Sequence, residues 1–336
     1  MIEALQFHIH GGEKQVLNTV SAYQPSRDVK TLTEQIKGDY MIGDEILHRP
    51  FEEFNGLSLI DRMNQDQATW LSWNPDQSLN PESDWRFTGI RPMTRNRVIS
   101  TAAHLTSQLV IPMIHAQNDQ DEEDKEAAYV MRDLLEYNIQ HSNYEPAFLY
   151  GVISALVNPI TYFKVSYSYA TQEVWDKNKK KTVEDDELSG FQFFLIPADE
   201  ILIGNAYEHD IQKQPFIIHK RYISYDTAKG LYGHHANWDF ITPGVNAIYN
   251  DDDGLMYDVD DDNKILVEEA TYYSRRNDTE VPFVNGVYMG NENTEKNPMT
   301  HRTNRGKPKY PLASFGAEPV DGMRFFAYKS LVSKLQ

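Results

Sequence analysis

The chain has 336 residues, with 32 Lys and Arg against 50 Asp and Glu, a net charge of −18, 11 His and no Cys. That length allows one large domain or two to three ordinary ones, and a 40 % apolar fraction with 20 Tyr and 15 Phe supplies a packed core, so disorder throughout is excluded. The missing cysteines exclude a disulfide scaffold, a zinc ribbon and a thiol enzyme; the acidic balance argues against a broad basic surface that coats nucleic acid, though not against nucleic acid passing without tight binding.

Residues 1–10 lead into Gly11-Gly12 with no basic start and no long apolar run, unlike a signal peptide. The longest apolar stretch, 151–165, is interrupted by Asn158-Pro159 and is too short and polar to span a bilayer. These features lead us to expect a soluble, intracellular protein. Residues 1–50 are weakly periodic and give no element. From Asn55, the residues Leu57, Ile60, Met63, Gln67, Trp70 and Leu71 form one helical face, ended by Pro75 and Pro81. A second helix over 95–111 places Val98, Ala102, Leu105 and Leu109 at helical spacing, and Pro112 stops it.

The six carboxylates of 119–126 read as a solvated linker and the first turn of the next helix, where they complement the macrodipole. That helix is the clearest in the chain: Ala127, Val130, Met131, Leu134, Leu135 and Ile139 share a stripe. A partner helix over 146–156 follows, with Pro146 in its first turn. The period then changes to two. Phe163, Val165, Tyr167 and Tyr169 alternate with Lys164, Ser166 and Ser168, a half-buried strand. Residues 177–181 read as a hairpin tip, with a return strand through Phe191, Phe193 and Leu195. Further strands are expected at 201–203 and 216–222, then a short helix from Ser224 as N-cap to Gly233 as C′.

Residues 234–264 lack periodicity. Asp251, Asp252, Asp253, Asp258, Asp260, Asp261 and Asp262 crowd into twelve residues, read as a loop joining two domains. A strand is expected at 265–273, a hairpin at 281–288 around Asn285-Gly286, and a loop at 291–309. A last helix is expected after 319–321, with Phe325, Tyr328, Leu331, Val332 and Leu335 on one side. It runs to the end of the sequence without a cap, which leads us to expect that the natural protein continues or that another subunit supplies the partner.

Motifs for chemistry are scarce. Aligning Gly254 with the sixth position of a calcium loop puts Tyr249 at the first ligand, which fails. His8 with His10, and His234 with His235, have no further ligand at metal-site spacing and read as surface or capping residues. No phosphate-binding glycine loop and no serine elbow occurs. No cofactor is implied. The abundant acids leave a paired-carboxylate hydrolase open, since only separation in space makes such a pair specific. One charge feature stands out: Lys296, Arg302, Arg305, Lys307 and Lys309, with His301, fall in 296–309 without an acid. That loop would attract a phosphate backbone; its other readings are an ordinary exposed loop and a surface for an acidic protein partner.

The segments 191–203 (FQFFLIPADEILI), 212–222 (QKQPFIIHKRY), 268–276 (EEATYYSRR), 284–288 (VNGVY), 310–313 (YPLA) and 318–331 (EPVDGMRFFAYKSL) occur in an order that resembles the portal proteins of tailed bacteriophages, particularly short-tailed phages, over residues 45–336. The resemblance implies an α+β chain with a helical wing carrying β-strands, stem helix segments and a small α/β clip. It implies an N-terminal segment 1–44, a wing 45–235, an acidic linker and stem region 236–264, a clip 265–318 and, at 319–336, the start of a returning stem helix, with the rest of stem, wing and crown missing. It further implies a non-enzymatic subunit of a ring, usually of twelve copies, at one capsid vertex. Such a ring passes double-stranded DNA during packaging and ejection. Its partners would be a terminase motor, head-completion or tail adaptor proteins, and major capsid and scaffolding proteins, in the virion and, during assembly, the host cytoplasm. Lys307 and Lys309 would lie on the clip. The alternatives are another virion or tail structural protein, and a carboxylate-dependent hydrolase.

Overall fold

The computed structural model describes residues 29–71, 93–107, 113–116, 118, 120–168, 172–176, 181–185, 190–241, 266–291, 297–303, 305–320 and 324–335. In chain order the helices are α1 (Val29–His48), α2 (Leu59–Trp70), α3 (Met93–Leu105), α4 (Glu122–His141), α5 (Tyr144–Val157), α6 (Tyr225–Tyr232) and α7 (Leu331–Leu335). The strands are β1 (Thr161–Ser168), β2 (Gln172–Asp176), β3 (Lys181–Asp185), β4 (Gly190–Ile196), β5 (Ile201–Ile203), β6 (Ile217–Ser224), β7 (Leu266–Ser274), β8 (Thr279–Val284), β9 (Val287–Tyr288), β10 (Leu312–Phe315), β11 (Glu318–Pro319) and β12 (Tyr328–Lys329). The fold is mixed α+β. It divides into two compact units, one of 1–61, 197–310 and 321–326, the other of 62–196, 311–320 and 327–336.

The first unit is built on an antiparallel sheet in the order β5-β6-β7-β8-β9. β6 and β7 pair from Ile217↔Tyr273 to Ser224↔Leu266. Strands on either side of the acidic stretch 236–264 therefore belong to one sheet, and that stretch does not separate a body of 45–235 from one of 265–318. Burial on both faces explains the pairing: the consecutive residues Ile217 and Ile218 on β6 and Tyr272 and Tyr273 on β7 are buried and need neighbours across the ladder. The β8–β9 hairpin closes as expected, with Asn285 and Gly286 at φ 47° and 74°, the two positive angles a type I′ turn requires. The helix after β6 is also as expected: the Ser224 hydroxyl accepts from the Thr227 N–H. Gly233 at its end is right-handed, with φ −60°, so it is not a left-handed cap.

α1 was not legible in the sequence. It buries Leu32, Ile36, Asp39, Tyr40, Gly43, Ile46 and Leu47, at spacings of three and four. Asp39 and Gly43 interrupt the apolar stripe and mask its period. Gly43 has a packing reason: a Cβ there would lie 2.6 Å from the Leu202 Cβ on β5. Asp39 sits 3.2 Å from the Tyr272 hydroxyl on β7.

In the second unit β10, β1 and β4 form an antiparallel sheet, with β1 and β4 in register from Tyr162↔Ile196 to Ser168↔Gly190. Residues 177–181 are not the tip between β1 and its partner; a separate hairpin, β2–β3, is inserted there. Its tip, 177–180, lies outside the described residues. The helical core packs Val98, Ala102, Leu156, Val157 and Val332, with Trp70, Val152 and Ile153 against it. Leu105, expected on the same face, is exposed. Arg62 and Asp66 form a buried ion pair at 2.8 Å, and Asp66 also accepts from the Ser330 hydroxyl at 2.7 Å.

The last helix is much shorter than expected. Residues 328–329 are a strand paired with 318–319, and helix begins only at Leu331, where the Ser330 hydroxyl accepts from the Ser333 N–H. Phe325, Phe326, Ala327 and Tyr328 are all buried, and one helical stripe cannot bury four consecutive residues. Phe325 instead packs edge-on against Phe51 and Phe54.

Burial pushes the Asp39 carboxyl from 3.8 up to about 8. The folded protein holds that proton across an interval in which the unfolded chain has released it. Its contribution is complete below pH 3.8 and is lost as pH rises to about 8. Asp39→Asn, which keeps a neutral polar group, is expected to flatten the melting temperature against pH over that window. Parallel curves for the two proteins would show that Asp39 is ionised in the fold.

Candidate functional site

The basic loop is a built hairpin. The Lys309 N–H donates to His301 O at 2.9 Å and the Thr303 N–H to Lys307 O at 2.8 Å. These bonds flank the pair Arg302↔Pro308, a position that needs no N–H from proline. Gly306, with φ 72°, closes the turn and donates to Thr303 O. The hairpin is anchored to the sheet at several points. Thr300 donates from backbone and hydroxyl to Glu280, and Met299 N–H donates to Asp278. Arg275 stacks its guanidinium over the Tyr310 ring and donates to Pro308 O at 3.0 Å. Tyr310, buried, exchanges two backbone bonds with the Gln212 amide.

The structure separates the five predicted cations. Lys296 lies outside the described residues. Arg302 is committed to the hairpin itself: it pairs with Asp278 at 2.5 Å and donates to Gly306 O at 2.8 Å. Arg305, Lys307 and Lys309 are exposed, and Lys307 and Lys309, two apart on one strand, share a side. Three cations on a stiff projection can take anionic oxygens without ordering a loop first.

A second constellation was missed by sequence reasoning. Tyr40 donates to Glu268 at 3.1 Å, Lys220 lies 3.6 Å from Asp44, and Tyr272 meets Asp39. On the neighbouring position of β7, Glu269 binds Arg221 and the Tyr232 hydroxyl, each at 2.5 Å. Burial raises the Glu268 carboxyl, with Lys220 and the Tyr40 hydroxyl opposing it. Asp39 and Glu268 are 2 % and 7 % exposed and face tyrosine hydroxyls, a structural lattice between α1 and the sheet. The available signal was an acid, Asp39, within an apolar helical stripe.

The His234 and His235 rings lie 4.4 Å apart at a tilt of 41°, and burial, with the neighbouring His234, lowers the His235 imidazole. His8, His10 and the 251–262 acids lie outside the described residues. Among the described residues no group of three or more His, Asp and Glu is placed to hold a metal ion, and no helix is long and apolar enough to cross a membrane.

The third feature is a surface. α4 leaves Tyr129, Val130, Met131, Leu134 and Tyr137 exposed, and of its apolar stripe only Ile139 is buried. The helix forms regardless, because Asp121 accepts from the Glu123 N–H and three acids occupy the first turn. Comparison with protein-family models and with curated proteins returned no match.

Replacing Lys307 and Lys309 together by Glu is expected to leave the melting temperature unchanged, because both side chains are exposed. It should reduce the slope of log affinity for duplex DNA against log salt by about 2. An unchanged slope would remove this face from any phosphate contact.

Proposed function

We propose that the chain is a subunit of a portal ring of the tailed-bacteriophage type, a structural channel for double-stranded DNA at one capsid vertex. The reading gives it the partners of such a ring: further copies of itself, twelve in the usual stoichiometry, a packaging motor, head-completion or tail adaptor proteins, and capsid and scaffolding proteins. The observation that carries it beyond the order of the sequence segments is the apolar face of α4. An isolated chain that keeps Val130, Leu134 and Tyr137 in water is built to be covered by another surface. A closed ring with head-to-tail contacts supplies such a cover on every subunit.

Two further features support this reading. The chain is acidic overall, so duplex DNA would meet little attraction, and the exposed cations of 305–309 are confined to one small hairpin. Two of the buried carboxyls with raised pKa, Asp39 and Glu268, are capped by tyrosines, and a third, Asp66, is held by Arg62 and the Ser330 hydroxyl, whereas a hydrolase would need such groups in an open cleft.

Mass photometry and negative-stain imaging of the full-length gene product test the proposal. Rings with a central hole are expected. A compact monomer, or a filament without closure, would contradict it.

A further inference from the structure

We propose that the exposed seam of α4 is filled by helix α3 of a neighbouring copy of the same chain, head to tail. The inference rests on the ring reading and deepens it by naming the surfaces that meet. Ala127, Val130, Leu134, Tyr137 and His141 follow one another at alternating intervals of three and four, the seam spacing of paired helices. Val130, Leu134 and Tyr137 are 62 %, 52 % and 49 % exposed, whereas Ile139, on the opposite side of the helix, is buried within its own unit. Tyr129 and Met131, 59 % and 54 % exposed, flank this seam on either side, and the three-and-four spacing of its central residues matches the footprint of a second helix.

Charge selects that helix. α4 carries Glu122, Glu123, Asp124, Glu126, Asp133 and Glu136 against Lys125 and Arg132, six acids against two cations, a net of −4. Two copies of α4 side by side would oppose one such helix to another, so a twofold α4–α4 contact is disfavoured. α3 has Arg95 and Arg97 and no acid. It buries Val98 and Ala102 in its own core and leaves Asn96, Ile99 and Ala103, at intervals of three and four, exposed on the other side. Arg95, one turn before Ile99 on the same face, is exposed beside them, with its guanidinium over the Trp70 ring. Ile99 is an apolar knob for the seam, Ala103 allows close approach, and Arg95, four residues before Ile99, can meet the acids of α4. Two different faces on one chain make a heterologous contact, the kind that propagates around a ring.

The absence of cysteine makes the test clean. Leu134→Cys and Ile99→Cys are introduced singly into the full-length product, and the two variants are co-expressed, oxidised and examined by non-reducing electrophoresis. A covalent dimer is expected from the mixture and not from either variant alone, and the double variant is expected to give a ladder of oligomers. Dimer from Leu134→Cys alone would overturn the assignment in favour of α4–α4 pairing. Rings by imaging with no cross-link in the mixture would leave the ring reading intact and overturn this surface, whereas absence of both rings and cross-links would overturn both. Leu134→Glu adds a second readout: loss of assembly with unchanged circular dichroism is expected, and normal assembly would overturn the proposal.

Discussion

An amphipathic helix has to cover its apolar stripe, and among the described residues α4 leaves most of its stripe uncovered. Its cap and charged first turn hold the helix, and Ile139 and the partly covered Leu135 tie it to its unit, while Val130, Leu134 and Tyr137 stay in water. Area-proportional hydrophobic free energy makes that exposure costly unless another surface is supplied. The reading of the chain as one member of a larger assembly follows from that imbalance.

The first unit shows the opposite economy. Its sheet is covered by α1, and the carboxyls buried in its interior have partners: Tyr40 with Glu268, Tyr272 with Asp39, Glu269 with Arg221 and Tyr232. Such a network fixes how α1 lies on the sheet, because shifting it would leave buried carboxyls without their hydroxyls. From the same scaffold projects the 301–309 hairpin, stiffened by Arg302 with Asp278.

Much of the element order was readable from local pattern. The stripe of α4, the alternation in β1, the Ser224 cap and the Asn285-Gly286 turn each depend on neighbours a few residues away. The misreadings share one cause, which is that tertiary burial is not local. Asp39 and Gly43 break the period of α1, yet each is explained by a residue far along the chain, Tyr272 and Leu202. Residues 325–328 carry a helical spacing but are buried on all sides. Among the basic residues, composition could not tell Arg302, spent on Asp278 twenty-four positions earlier, from the outward Lys307 and Lys309. The α4 stripe was visible in the sequence; which part of it the chain itself covers was not.

The most direct measurement of the central claim is hydrogen–deuterium exchange of the full-length product as dilute subunits and as assembled particles. The account predicts that amides of 127–141 slow on assembly while those of 217–224, already locked in the sheet, do not change. Equal exchange of 127–141 in the two states would contradict it, because the seam would then be as open in the particle as in the single chain.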